Sequence, residues 1–235
     1  RVVVGVSGGA DSLGLVVLLA RVAAAMRPAC ELEAVHVARD GDGPTGGPAE
    51  ELVVWCRDQG VPLQRVEAAA DPQRGTGPLS CFRCAGLRRR ALLEAAAVRC
   101  ARHVALGHHA DDVVETFLLS LLYTGRGEIM PPERDYFRGA VRLIRPLYEV
   151  RKDELERVAR LAGAPVQAAR CARERDSRRA SVRSMLDVLG RDQRRVRRQL
   201  YWAAVRQLEG GSDGGMMRQK TTGTSRGTTA SGRST

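Results

Sequence analysis

Three short stretches of the chain combine residue types that could do chemistry. Residues 7–12 (SGGADS) join glycines and hydroxyls to a carboxylate, residues 81–84 (CFRC) hold two thiols, and residues 107–112 (GHHADD) join two imidazoles to two carboxylates. Glycine turns bind phosphate through backbone N–H groups, thiolates bind metals, and carboxylates bind cations or transfer protons. The sequence therefore predicts a phosphate-bearing ligand and raises the question of a metal centre.

The glycine turn lies between a predicted strand and a predicted helix. Residues 2–6 form a β-branched apolar run, typical of a strand buried on both faces, and an apolar helical pattern follows over residues 13–26. Many α/β proteins bind phosphate with this order of elements, and Ser12 is in position to cap the helix. The turn matches neither the Walker-type P-loop nor the GxGxxG dinucleotide pattern. The predicted phosphate-binding residues are Ser7, Gly8, Gly9, Asp11 and Ser12.

The cysteines pose a choice between structural, redox and metal-binding roles. The six are Cys30, Cys56, Cys81, Cys84, Cys100 and Cys171. No secretory context is visible, so a disulfide framework is not expected. Zinc sites usually take four ligands in two pairs, and only one CxxC exists, whereas three thiolates suit a [4Fe-4S] cluster with one open iron. The candidate metal ligands are Cys81, Cys84 and Cys171, and the other three are interpreted as small apolar residues.

Strands and helices alternate along the chain. After the first strand we predict strands at 33–37, 63–66, 104–106 and 141–144, helices at 49–59, 80–97, 113–123, 154–161, 178–189 and 192–208, and a loop at 125–138. This alternation predicts an α/β fold with a doubly wound parallel sheet. Ligands of such sheets bind at the carboxyl ends of the strands. The glycine turn, His36, the GHHADD stretch and Arg145 all lie at strand ends, so we expect them to meet.

The charge of the chain predicts a polyanionic partner. Its 235 residues carry a net charge of +11, the sequence pI is about 10.2, and arginines crowd residues 170–206. Nucleic acid is the simplest such partner, bound through arginine–phosphate contacts rather than base stacking, because aromatic residues make up only 4% of the chain. A solvated helix face is the competing interpretation. We find no membrane-spanning stretch and no signal peptide, and expect a cytoplasmic protein.

The chain divides into three predicted parts. Residues 1–170 form a nucleotide-binding α/β domain that includes the CxxC segment, and residues 171–208 form a basic helical part of the same unit. Residues 209–235 are rich in Gly, Ser, Thr and Arg without periodicity, so a disordered tail is predicted.

The order of the motifs resembles one enzyme family. SGGxDS resembles the pyrophosphate loop of the PP-loop ATP pyrophosphatases, which split ATP to AMP and pyrophosphate. The whole order resembles the tRNA 2-thiocytidine synthetase family over roughly residues 2–191. Its elements are SGGxDS, CxxC, the LRR run at 87–89, GHHxDD, MPP at 130–132, IRPL at 144–147 and a lone cysteine. Related thiouridine synthetases tend to carry extra zinc-finger cysteines and a Lys at the position of Arg88.

The resemblance implies an ATP-dependent tRNA thiolase. In such an enzyme the C2 oxygen of a tRNA cytidine, at position 32, would attack the α-phosphate of ATP, and sulfur delivered through a [4Fe-4S] cluster would then replace that oxygen. The implied cofactors are ATP, Mg²⁺ and the [4Fe-4S] cluster. The implied partners are tRNA and a cysteine desulfurase or another sulfur donor, with a homodimer as a further candidate.

The resemblance also suggests roles for single residues. Asp11 would hold Mg²⁺ or orient the loop, and Arg145 would stabilise negative charge on the phosphates. Ala10 stands where many relatives carry Lys, so part of that charge must be neutralised elsewhere. The remaining candidates are the catalytic residues Asp112, Asp111 and Arg88 and the nucleotide-lining residues His36 and Gly107.

Three alternatives remain open on the sequence alone. A tRNA lysidine synthetase shares the first and third motifs but needs no cysteine for its chemistry. A 2-thiouridine synthetase would use the same cluster chemistry on another base. A zinc-binding, non-catalytic nucleic-acid-binding protein is the third alternative, and the metal at the cysteines would distinguish it from an iron–sulfur enzyme.

Overall fold

The architecture is a sheet flanked by helices, seen in a computed structural model that describes residues 1–38, 48–68, 80–167, 177–189 and 193–210. The strands are β1 (Val2–Gly5), β2 (Leu32–Ala38), β3 (Leu63–Glu67), β4 (His103–Ala105), β5 (Glu133–Tyr136) and β6 (Val141–Ile144). The helices are α1 (Ala10–Ala25), α2 (Glu50–Asp58), α3 (Cys81–Val98), α4 (Ala110–Thr124), α5 (Lys152–Leu161), α6 (Arg178–Val188) and α7 (Gln193–Gly210), with a 3-10 turn at Phe137–Gly139.

The described strands form one six-stranded sheet in the order β3-β2-β1-β4-β6-β5. β1 pairs in parallel with β2 and with β4, and β2 with β3 and β4 with β6 are parallel as well. The predicted α/β fold with a doubly wound sheet is confirmed. Because the chain turns in opposite directions after β1 and after β4, a crevice opens between their carboxyl ends, which is where such sheets bind ligands.

The predicted loop at 125–138 is wrong, because part of it is strand β5. β5 runs antiparallel to β6 at the edge of the sheet, with Tyr136 opposite Val141. Its residues are mostly charged and exposed, so no apolar alternation marks it in the sequence. Cross-strand ion pairs hold it instead: Arg142 lies 2.7 Å from Asp135 and 3.4 Å from Glu133.

Three helices begin earlier than predicted. α1 begins at Ala10 rather than 13, α4 at Ala110 rather than 113, and α5 at Lys152 rather than 154. Their first turns carry polar or small residues that face the carboxyl edge of the sheet. The apolar periodicity used for prediction therefore starts about one turn inside each helix.

Helices cover both faces of the sheet. Alternate residues of β1 face opposite sides, and Val3 and Val4 are both fully buried. One core joins the sheet to α1, α2 and α5, and a second joins its other face to α3. A third core packs α4 against α6 and α7, around Val113, Val182 and Tyr201. None of the described helices is both long and apolar enough to cross a membrane.

Candidate active site at the carboxyl edge of the sheet

The glycine turn is held in shape by its own hydroxyls. Ser12 Oγ donates to the carbonyl oxygen of Gly9 at 2.9 Å and accepts from the backbone N–H of Ser7 at 3.2 Å. Gly9, not Ser12, is the N-cap residue of α1, so that prediction is wrong. The helix starts two residues before Ser12 is reached, which leaves its side chain to brace the turn. The turn thus presents the N-terminus of α1, with its unpaired N–H groups, to a phosphate.

Gly8 joins the glycine turn to a distant segment. Its φ of +86° lies in the left-handed region that glycine adopts without strain. Its carbonyl oxygen accepts a 2.9 Å hydrogen bond from the backbone N–H of Gln167. The segment after α5 therefore returns to the glycine turn four residues before Cys171, which itself lies outside the described residues.

His36 and Gly107 position backbone around this turn. His36 is buried at the end of β2, and its Nδ1 donates to the carbonyl oxygen of Val6 at 3.0 Å. A Cβ on Gly107 would lie 3.0 Å from the carbonyl oxygen of Asp11. Gly107 therefore lets the loop after β4 press against the first turn of α1. The close approach that Gly107 permits in this structure is to the backbone of Asp11 and Ser12 in α1.

His109 lies among three carboxylates at the start of α4. Its Nε2 is 3.6 Å from Asp11 and 3.4 Å from Asp112, and its Nδ1 is 3.8 Å from Asp111. Burial favours the neutral ring, but the contact with Asp11 and the charges of Asp112 and Asp111 outweigh it and raise the pKa of His109. When protonated, the ring would neutralise part of an acidic cluster that joins the glycine turn to α4.

The two predicted catalytic aspartates also hold the helices. Asp112 accepts from the backbone N–H of His109 at 3.1 Å, which satisfies the N-terminus of α4. Asp111 accepts from the backbone N–H of Lys152 at 3.0 Å, at the N-terminus of α5. Asp11 differs from both, because its Oδ1 is buried without a hydrogen-bond partner among the described residues. An orphaned carboxylate oxygen suits a cation or an ordered water.

Arg145 is a buried cation with neutral partners. Its side chain is only 7% exposed, and it donates to the carbonyl oxygen of Pro131 and, at 3.2 Å, to Nδ1 of His108. Burial, with the charges of Arg145 and other arginines, lowers the pKa of His108 to about 4, so this ring is uncharged at neutral pH. Burial and the charge of Arg89 lower the pKa of Arg145 to about 10. Arg145 stays charged without a carboxylate among the described residues, which is the arrangement of an anion site.

The MPP and IRPL motifs are one structural unit. The backbone N–H of Arg145 donates to the carbonyl oxygen of Pro132 at 2.9 Å. The hydroxyl of Tyr148 donates to the carbonyl oxygen of Met130 at 2.7 Å. The two motifs, 14 residues apart, therefore hold the Arg145 guanidinium in one orientation.

Two of the candidate metal ligands, Cys81 and Cys84, lie on the first turn of α3. Ser80 caps this helix by accepting from the backbone N–H of Arg83 at 3.3 Å. Cys81 is exposed and Cys84 is half-buried. Within the described ranges no three or more His, Cys, Asp or Glu side chains are arranged to hold a metal ion, and Cys171 lies outside these ranges. Two accessible thiols at a helix N-terminus fit two ligands of a cluster and leave a third to be supplied.

The arginines that follow Cys84 on α3 behave differently from one another. Arg90 pairs with Glu94 at 2.7 Å on the helix surface. The Nε of Arg88 is buried without a hydrogen-bond partner in the described part of the chain. Arg89 lies close enough to Arg145 and His108 to lower the pKa of both. α3 therefore connects the CxxC segment with the anion site.

The basic C-terminal helices turn part of their charge inward. Arg179 of α6 lies 3.1 Å from Asp112, and Arg197 of α7 lies 3.1 Å from Asp111. Arg183 of α6 contacts the buried Glu115 at 2.7 Å. These arginines hold α6 and α7 against α4, so only the remaining basic residues of this region are available for phosphate contacts.

The sequence interpretation missed two contributors to the site. Arg89 is not among the predicted site residues, although its place in the LRR run at 87–89 was a usable signal. Gln167 carries no motif, and its bond to Gly8 depends on tertiary packing alone.

Comparison with known proteins agrees with this geometry. Residues 1–188 match the PP-loop domain family. A tRNA-cytidine(32) 2-sulfurtransferase of Alkalilimnicola ehrlichii is 36% identical over 191 residues, which is 79% of this chain and 60% of that protein. Another from Anaeromyxobacter sp. (strain K) is 35% identical over 211 residues, 86% of this chain and 70% of that protein. The chain thus spans 60 to 70% of the length of these two relatives.

One solved structure shares the fold. It is the U34-tRNA thiolase NcsA from Methanococcus maripaludis with its [4Fe-4S] cluster, with a TM-score of 0.70 and 21% sequence identity. The match covers 88% of this chain and 72% of that one.

Proposed function

The chain belongs to the PP-loop family and, within it, to the family of the tRNA-cytidine(32) 2-sulfurtransferases, and on this premise we propose that it thiolates a tRNA cytidine at the expense of ATP. In the first step the C2 oxygen of the cytidine attacks the α-phosphate of ATP, and pyrophosphate leaves. In the second step hydrosulfide attacks C2, the bond between C2 and the activated oxygen breaks, and AMP leaves with that oxygen.

The buried guanidinium of Arg145 is the observation that carries the proposal. It has neutral partners, and Arg89 of the cysteine-bearing helix adds a second positive charge near enough to lower its pKa. Two cations in one region of the protein would stabilise an anion, and their charge matches a phosphate on which negative charge develops. This pair supplies the neutralisation that Ala10, in place of Lys, does not.

The glycine turn would hold the departing pyrophosphate. The N–H groups of Gly8 and Gly9 and the N-terminus of α1 provide donors, while Ser7 and Ser12 keep the turn in shape. The orphaned carboxylate oxygen of Asp11 would hold a Mg²⁺ ion, which would offset negative charge on the phosphates. A protonated His109 would offset part of the negative charge of the acidic cluster beside that oxygen.

The cysteines would deliver the sulfur to the base. Cys81 and Cys84 are accessible at the first turn of α3, and the chain returns to the glycine turn at Gln167, four residues before Cys171. A cluster held by these three cysteines would supply, through an iron that lacks a protein ligand, the sulfur that enters the base. The half-buried Arg88, one turn after Cys84, would compensate the negative charge of the thiolates.

The partners follow from this chemistry. A tRNA is the substrate, and a cysteine desulfurase or another donor would supply sulfur in the cytoplasm. The inward-facing arginines of α6 and α7 limit the tRNA surface to the other basic residues of these helices. A homodimer is part of the proposal and is tested by the mass of the protein in solution.

Mass spectrometry of tRNA nucleosides tests the proposed function. Cells that lack the gene should lose 2-thiocytidine, and the wild-type gene should restore it. Cys81→Ser should fail to restore it, whereas Cys30→Ser, a cysteine remote from the site in sequence, should succeed. A tRNA lysidine synthetase would keep its activity with Cys81→Ser, and an unchanged 2-thiocytidine level in the deletion strain would overturn the assigned product.

The metal content of the protein is a second test. After anaerobic purification the wild type should be brown, with broad absorption at about 400 nm, and should contain iron. Cys81→Ser should lose the absorption and the iron. A colourless protein that contains zinc would support the non-catalytic alternative.

A further inference from the structure

A cavity of about 720 Å³ lies beside the candidate active site, between α4, the start of α5 and α7. This volume is within the range of ligand sites in proteins. Asp111 is the one lining residue that also belongs to the predicted site. Because Asp111 contacts His109 on one side and lines the cavity on the other, the two sites adjoin each other.

The cavity presents an aromatic ring to solvent. Trp202 is 51% exposed, whereas Tyr201 beside it is buried in the core. The two rings contact edge to face, with centroids 5.4 Å apart, and Tyr201 also contacts Tyr148. Tyr201 therefore holds an indole whose open side is available to a flat ligand ring. A half-exposed tryptophan at a cavity is typical of a binding surface.

The charges that line the cavity suit a nucleotide. Arg197 is occupied by Asp111 and Asp187, and Arg151 is paired with Asp153. Arg198 is exposed, and it has no carboxylate partner in the part of the chain that the structure describes. An exposed guanidinium binds a phosphate, and the carboxylate of Glu149, which also lines the cavity, can accept from a base amino group.

We propose that this cavity binds one nucleotide of the RNA substrate, outside the position that is modified, with its base on Trp202 and its phosphate on Arg198. The inference rests on the proposed function, because it takes RNA as the substrate. The low aromatic content of the chain argues against stacking as the general mode of binding. A single base stacked on Trp202 is compatible with this low aromatic content. The stacked base would position the neighbouring cytidine.

Tryptophan fluorescence tests the inference directly. Trp55 is the only other tryptophan of the sequence. It is half-buried, and its indole N–H donates a hydrogen bond to the carbonyl oxygen of Ala162. In a Trp55→Phe background, a tRNA transcript should quench Trp202 emission. Trp202→Ala should weaken tRNA binding about tenfold, whereas Trp202→Phe should retain most of the affinity. ATP binding should be equal in all variants.

The salt dependence of tRNA binding tests the role of Arg198. Arg198→Ala should reduce the slope of log affinity against log salt concentration by about 1, as expected for one lost phosphate contact. An unchanged slope would overturn the phosphate contact. If wild type binds and thiolates tRNA but Trp202→Ala binds it equally well, the inference is wrong and the proposed function stands. Quenching by ATP alone would assign the cavity to a mononucleotide, and no tRNA binding by wild type would overturn both proposals.

Discussion

The Nε of Arg145 donates a hydrogen bond to Nδ1 of His108 across 3.2 Å, which pairs a buried guanidinium with an uncharged ring. A carboxylate in the place of His108 would cancel the charge of Arg145. The neutral ring orients the guanidinium and leaves its charge available for an anion. The pair joins residues 37 positions apart in the sequence, from the ends of two neighbouring strands.

Substitution of Arg145 should reduce the first chemical step. Arg145→Ala removes a preorganised charge at the phosphates, so tRNA-dependent pyrophosphate release should fall about 10²–10³-fold. Arg142→Ala is the matched control, because Arg142 lies on β6 three residues before Arg145 but is exposed and paired with Asp135. Its rate of pyrophosphate release should stay within about twofold of wild type. Equal rates for wild type and Arg145→Ala would show that Arg145 does not act on the phosphates.

His108 should make stability depend on acid pH. Its pKa is lowered to about 4 in the folded protein, against about 6.5 when unfolded, so the unfolded chain binds the extra proton between these values. Stability from this group is therefore present above pH about 6.5 and is lost as the pH falls to about 4. The expected loss is about 3 kcal/mol at most. His108→Asn, whose amide oxygen can accept from Arg145, should lack this component when urea unfolding is measured across that range. Parallel pH profiles for the two proteins would contradict this assignment.

Two glycines of the turn should respond differently to an added methyl group. Gly8 has a φ of +86° and a Cβ there would lie 2.8 Å from Oε1 of Gln167, so Gly8→Ala should lower the free energy of unfolding by about 1–2 kcal/mol. Gly9 has a φ of −79°, and its nearest contact would be Ser7 Oγ at 3.6 Å. Gly9→Ala should cost about 0.5 kcal/mol. Urea unfolding without nucleotide measures both values, and a reversed order would contradict the described turn.

The contact between Arg183 and Glu115 should hold α6 on α4. Glu115 is only 3% exposed, and its two carboxylate oxygens lie 2.7 and 3.3 Å from Arg183 nitrogens. Arg183→Ala would leave a buried carboxylate with a weaker contact to Arg179, at a cost of about 2–3 kcal/mol of unfolding free energy. Glu115→Leu combined with Arg183→Leu should recover much of that loss. Arg90→Ala, which removes an exposed pair, is the control and should leave the melting temperature unchanged.

The sequence was informative where the signal is local. A buried β-branched strand, a glycine turn and a helix follow one another within about 25 residues, and this order predicted both the fold and the place of the glycine turn. The sequence was uninformative for elements that lack a periodic pattern of apolar residues. β5 is made mostly of charged edge residues, and the first turns of α1, α4 and α5 carry polar or small residues. The candidate metal ligand Cys171 and the tail lie outside the described residues, and the assignments made for them stay predictions.

By itself, the sequence determined the α/β fold, the glycine turn and the order of motifs that identifies the family, because strand and helix periods and turn residues are properties of adjacent positions. Only the tertiary structure decided which arginine charges remain available to bind an anion. It paired Arg179 and Arg197 with the aspartates of α4, left Arg145 beside a neutral ring, and placed Arg89 near enough to lower the pKa of Arg145. The physical reason is that a charge acts through the partners and the burial around it, and both are set by elements that are distant in the sequence.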